Sequence, residues 1–115
     1  MARVLLVDDD VDALEIRKRI FECDGHDVVA APSADRAREQ FRAEPPDSVI
    51  LDLRLPDLED GCSLIREFRA ASPVVKIVVL AGFCADLKGR SESALVDLIL
   101  SKPVRSEVLL GAVRV

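Results

Sequence analysis

The sequence predicts a single α/β domain, residues 1–115, built on a five-stranded parallel sheet with five helices on its two faces. Apolar runs with β-branched content recur at residues 4–7, 28–30, 49–51, 77–80 and 98–100, each the length of a buried strand. The segments between them carry helical spacing, and the joins are short. Strands and helices that alternate in this way give parallel strands, because each crossover helix returns the chain to the same end of the sheet.

Each element has its own signal. The first strand, VLLV, runs straight into Asp8, Asp9 and Asp10, with Asp12 after one valine. Ala13, Ile16, Ile20 and Cys23 recur at intervals of three and four and mark the expected inner face of the first helix. His26 falls at the start of the second strand, where an exposed side chain is expected. Ser33 is placed to cap the second helix, whose inner face is Ala34, Ala37 and Phe41, and Pro45 and Pro46 end it. Leu64, Ile65 and Phe68 repeat the pattern in the third helix, which Pro73 stops. The fourth helix, CADLKGRSESALVD, is the weakest, with Gly89 and two serines near its middle lowering its helix propensity.

Composition excludes several functions. Half of the residues are hydrophobic and 32% are charged, which fits a folded domain and not a disordered chain. No apolar run has the length of a membrane span, no secretory signal pattern opens the chain, and the expected location is the cytoplasm. The three cysteines are odd in number and lack metal-site spacing, so free thiols are expected. A net charge of −5 argues against gripping a nucleic-acid backbone. Arg17, Lys18 and Arg19 are interleaved with Glu15 and Glu22 and read as a solvated helix face, not a binding patch.

In an open parallel sheet, ligands bind outside the carboxyl ends of the strands. Strand one ends in Asp8 and Asp9, strand three in Asp52, strand four in Ala81 and Gly82, and strand five in Lys102 and Pro103. Three carboxylates converging about 5 Å apart would repel by roughly 3 kcal/mol per pair at an effective dielectric near 20, and the lysine is the one internal cation expected to offset this. A divalent cation held by few protein oxygens, Mg²⁺ above all, removes the conflict and draws in a phosphoryl group. Lys102 then neutralises a further phosphate oxygen. Together these parts describe a carboxylate that accepts a phosphoryl group. Asp10 and Asp12, by contrast, read as starters of the first helix.

VLLVDDD, SVILDLRLPD with its following DG, and LILSKP resemble the receiver domain of two-component response regulators, of the chemotaxis-regulator type, over essentially the whole chain. The resemblance implies a flavodoxin-like fold with strand order 2-1-3-4-5, and Asp52 as phosphoacceptor for a histidine kinase or phosphotransfer protein. It implies Mg²⁺ or Mn²⁺ held directly by Asp9, Asp52 and the backbone carbonyl of Arg54, with Asp8 helping through water. Lys102 would pair with the phosphoryl group, and the amides of Arg54 and Gly82 would donate to it. It implies a signalling domain and not an enzyme, beyond slow self-phosphorylation and self-dephosphorylation, acting on a downstream effector protein or domain without direct contact to nucleic acid or membrane. The family often forms weak homodimers through its last strand and helices, which these residues leave undecided. A dinucleotide fold would place glycines where this chain has acids, and a haloacid-dehalogenase-type phosphatase would need an acid at Arg54.

Three departures stand out. Most receivers end strand four in Thr or Ser, where this chain has Ala81, and carry an aromatic residue at Ile99. A charge-assisted hydrogen bond of about 1.5–3 kcal/mol is thereby absent, comparable with a whole allosteric coupling of about 1–3 kcal/mol. The loop PDLEDG is one residue longer than usual and brings Asp57, Glu59 and Asp60 near the crevice. Arg54 and Phe83 occupy positions that, by the resemblance, flank the path of hydrolytic water. Ala81 and Ile99 also motivate the alternative of a pseudo-receiver, a protein-binding module that works without phosphorylation. The last helix, SEVLLGAVRV, has only a short tail, from which a piece of a longer protein is expected rather than a stand-alone regulator.

Overall fold

The computed structural model describes residues 2–55, 57–82, 87 and 90–113. Five strands form one parallel sheet: β1 (Arg3–Val7), β2 (Asp27–Ala31), β3 (Ser48–Asp52), β4 (Lys76–Ala81) and β5 (Leu98–Ser101). Their order is β2-β1-β3-β4-β5, as the resemblance implies. Among the described residues four α-helices accompany them: α1 (Val11–Cys23), α2 (Ala34–Ala43), α3 (Leu58–Ala71) and α4 (Ser106–Val113). The sheet is flavodoxin-like, and its strand order reverses beside β1.

Side-chain alternation along the strands divides the core in two. Leu5, Val7, Val49, Leu51, Ile77, Val79 and Ala81 pack with Ala37 and Phe41 of α2 and with Cys62, Leu64, Ile65 and Phe68 of α3. Val4, Leu6, Ile50, Val78 and Leu80 face the other way, onto Leu14 and Phe21 of α1 and Leu109, Ala112 and Val113 of α4. Register pairs Val7 with Leu51, Asp52 with Leu80 and Ala81 with Ser101, so the carboxyl ends of the four strands lie along one rim.

The caps follow the sequence. Asp10 accepts from the Ala13 N–H at 3.2 Å, and Ser33 from the Arg36 N–H at 3.2 Å. Two expectations need correction. The inner face of α1 is Leu14 and Phe21, while Ile16 is 60% exposed and Cys23 is exposed. Leu14 and Phe21 are seven residues apart and bracket Arg17 and Lys18, whose long stems are half-buried. His26 is not exposed: its side chain is 7% accessible. Gly25, at φ +88°, turns the chain back after α1 and lays the His26 ring 5.8 Å from that of Phe21. There His26 Nδ1 accepts from the Ala2 N–H.

The expected fourth of five helices also differs. Residues 84–86, 88 and 89 of that segment lie outside the described residues, and Ser91–Leu95 is a 3₁₀ helix. Its tight turn drives Glu92 inward, onto Arg66 of α3 at 2.6 Å and Arg90 at 3.0 Å. This long-range pairing, not helix propensity, shapes the segment.

Candidate functional site

The rim brings Asp8, Asp9 and Asp52 together. Each offers an oxygen within 4.8 Å of the others, and among the described residues no other group of three His, Cys, Asp or Glu side chains does so. They line a cleft of about 630 Å³ with Ala13 and Arg17 of α1 and with Lys102, Pro103 and Val104 beyond β5. The Lys102–Pro103 peptide is cis.

The aspartates after β1 have separate tasks. Asp8 is buried, and its Oδ1 accepts from the Asp10 N–H at 2.9 Å, which fixes the turn into α1. Asp9 is exposed in the cleft, and Asp10 caps α1. Asp52, 8% exposed at the end of a fully buried strand, accepts from the Arg54 N–H at 3.3 Å and from Lys102 Nζ at 2.6 Å. The Lys102 backbone N–H donates to the Ala81 carbonyl at 2.8 Å, which fixes where that side chain starts. Burial pushes the Asp52 carboxyl above its ordinary value. The hydrogen bond and charge of Lys102 oppose this, and the Asp8 charge adds to it.

Arg17 was not legible as a site residue, and the expectation of a wholly solvated basic stretch is corrected. Its Nη1 lies 2.7 Å from Asp8 Oδ2, with 22% of its side chain exposed. Lys102 is therefore not the one internal cation offsetting the carboxylates. The signal was the helical phase: Asp10, Ala13 and Arg17 follow spacings of three and four, which put Arg17 over the cleft.

The other singled-out positions lie apart. Ala81 is buried, and it shares one apolar cluster with buried Leu87 and partly buried Leu95 and Ile99. Gly82 and Arg54 are exposed at the ends of β4 and β3, and Phe83 lies outside the described residues. The acids of the longer loop are used locally. Asp57 starts α3, its N–H donating to Asp60 Oδ2 at 3.4 Å, and Glu59 pairs with Arg66 at 3.4 Å and Arg90 at 3.0 Å.

Three carboxylates with room for water suit a hard divalent cation that takes few protein oxygens, so the donor set fits the expected metal. An acidic cleft at the carboxyl ends of a 2-1-3-4-5 sheet, with one buried aspartate tied to a lysine, defines the class as a signalling domain of flavodoxin-like fold. The model of the response regulator receiver domain family matches residues 4–114, and the chain belongs to that family.

It is 36% identical over 113 residues to the transcriptional regulatory protein CseB of Streptomyces coelicolor, covering 96% of this chain and 47% of that protein. It is 40% identical over 80 residues to the virulence transcriptional regulatory protein PhoP of Salmonella typhimurium, covering 70% of this chain and 35% of that protein. The chain thus spans about half the length of CseB, or less of PhoP. Among solved structures, a receiver domain protein from Clostridium thermocellum superposes with a TM-score of 0.87 at 28% identity, covering 98% of this chain and 91% of that one. The response regulator TrrA from Thermotoga maritima, solved in complex with Mg²⁺ and BeF, gives 0.86 at 26% identity, covering 98% and 96%. The domain is the receiver of a two-component response regulator, with Asp8, Asp9 and Asp52 forming its acidic pocket. The phosphorylation-independent alternative is not favoured.

Proposed function

We propose that Asp52 accepts a phosphoryl group from a histidine kinase or phosphotransfer protein, and that residues 1–115 work as one receiver domain. The observation that carries this is the position of Asp52: a buried carboxylate at the cleft floor, with the Lys102 ammonium 2.6 Å away. An Asp52 oxygen attacks phosphorus, forming a P–O bond as the P–N bond to the donor imidazole breaks, and the leaving nitrogen keeps the electron pair. Lys102 neutralises charge on the transferred group, and the Arg54 N–H, now on Asp52 Oδ1, donates to it together with the Gly82 N–H. Asp8, Asp9, Asp52 and the Arg54 carbonyl are the oxygens that would hold Mg²⁺ or Mn²⁺. When bound, that cation supplies Lewis-acid stabilisation of phosphoryl oxygens.

The signal then passes by altered contacts to an effector protein or domain. CseB and PhoP are named as transcriptional regulatory proteins, which supports an output lying outside this chain. Among the described residues no helix is long and apolar enough to cross a membrane. Occupancy is confined to one phosphoryl equivalent at a time, slowly gained from small donors and slowly lost to water.

The test is intact-mass measurement after incubation with Mg²⁺ and acetyl phosphate. One phosphoryl adduct is expected, lost in Asp52→Ala. No adduct, or one that persists in Asp52→Ala, overturns the proposal.

A further inference from the structure

Two of the three cleft carboxylates already hold cations of the protein itself. Lys102 donates to Asp52, and Arg17 donates to Asp8 at 2.7 Å. The other Asp8 oxygen is taken by the Asp10 N–H, so neither oxygen of this 3% exposed side chain is without a donor. Asp9, exposed, has no such cation among the described residues.

The two protein cations differ in what they compete for. Lys102 reaches Asp52 from beyond β5 and stays beside an incoming anion. Arg17 reaches Asp8 Oδ2 from α1, on the same cleft wall as Ala13. A divalent cation in this cleft needs Asp8, directly or through a water, and it repels a guanidinium on the same carboxylate. The pair is partly screened from solvent, so this repulsion is stronger than between surface charges.

We infer that Arg17 is an internal competitor of the divalent cation. It holds Asp8 while no metal is bound, releases Oδ2 when metal binds, and so raises the metal concentration at which the cleft fills. Arg17 is thus a positioning residue that sets the metal threshold for phosphorylation through Asp8. This rests on the reading of the cleft as a metal site.

The test is Mn²⁺ titration of the whole chain followed by electron paramagnetic resonance, at fixed ionic strength. Arg17→Met keeps the apolar stem without the charge, and it is expected to bind Mn²⁺ about fivefold to tenfold more tightly, the net worth of about one ordinary hydrogen bond. In an Asp8→Asn background the same change is expected to give less than about half that gain on a logarithmic scale, as contacting pairs are non-additive. Arg17→Gln, a neutral donor, gives the same direction if Arg17→Met does not fold. Unchanged or weaker binding in both, with saturable binding in the wild type, overturns the inference alone. An equal gain in the Asp8→Asn background also overturns it, since Arg17 would then act as a distant charge. Absence of saturable binding in every variant overturns the metal reading and the inference with it.

Discussion

Lys102 Nζ and Asp52 Oδ2 stand 2.6 Å apart, although β3 and β5 are not neighbours in the sheet. The lysine reaches across the end of β4, where Ala81 contributes only a methyl group. Its charge is less than burial demands, for Asp52 remains above its ordinary carboxyl value of 3.8. A carboxyl whose folded value is raised favours folding while protonated, and that contribution is lost as pH rises through the folded value.

Asp52→Asn therefore stabilises the metal-free domain at neutral pH. The expected outcome is a higher Tm at pH 7 in chelator, by about 4 °C for each kcal/mol gained in a domain of this size. The gain shrinks as pH falls through the raised value, because wild-type Asp52 becomes neutral as well. A Tm difference that is constant with pH contradicts the assignment.

Ala81 is buried in an apolar cluster with Ile99, so the end of β4 has no hydroxyl to draw towards a phosphoryl group. Ala81→Ser supplies one. Without phosphate it is an unpartnered buried group and costs about 1–2 kcal/mol, seen as a lower Tm. With phosphate at Asp52 the cost is recovered, and heteronuclear spectra should show larger shifts in Ser91–Leu95 and β5 than the wild type does. Equal shifts in the two proteins would show that the chain already transmits without the hydroxyl.

Asp8, Asp9, Asp52 and Lys102 were legible because parallel strands end on one rim, and strand ends are visible as apolar runs. Asp10 was legible because a cap is a local device. Arg17 was hidden by its neighbours: beside Lys18 and Arg19 it looked solvated, and only the starting phase of α1 turns it to the cleft. The same phase error put Ile16 and Cys23 inside, where Leu14 and Phe21 are. His26 was misplaced because the Gly25 turn folds it back on α1, and the 3₁₀ segment because Glu92 answers to Arg66, twenty-six residues earlier. Such errors come from contacts that local periodicity does not carry.

Glu92 is the buried acid of a ring in which Arg66 and Arg90 also share Glu59. The Arg66 hydrogen bond, then that of Arg90, holds its carboxyl below the ordinary value. A lowered acid contributes stability above its unfolded value and loses it as pH falls through the folded one. Glu92→Gln is expected to destabilise by about 1 kcal/mol at pH 7, with the gap to wild type closing below about pH 4. Because the ring ties Ser91–Leu95 to α3, amide exchange in that segment should quicken more than in β1 or β3. A gap that persists unchanged in acid would show that packing, not charge, makes the difference.

Gly61 lets α3 start against the strand that carries Asp52. A Cβ there would lie 1.8 Å from the Leu53 carbonyl oxygen and 2.6 Å from its carbon. Leu53 cannot retreat freely, since its N–H donates to the Leu80 carbonyl at 3.0 Å and its side chain is buried. Gly61→Ala is therefore expected to destabilise by about 1–3 kcal/mol despite alanine's better helix propensity, the overpacking outweighing a gain of about 1 kcal/mol. The displaced strand end carries Asp52 and the Arg54 N–H, so acetyl phosphate labelling should slow in the fraction that stays folded. Gly111→Ala in α4 is the control, because a Cβ there meets nothing within 4 Å. With no clash it should stabilise by about 0.5–1 kcal/mol and leave labelling unchanged. Urea unfolding of the two variants reads both signs, and loss of stability in both would remove the contact with Leu53 as the cause.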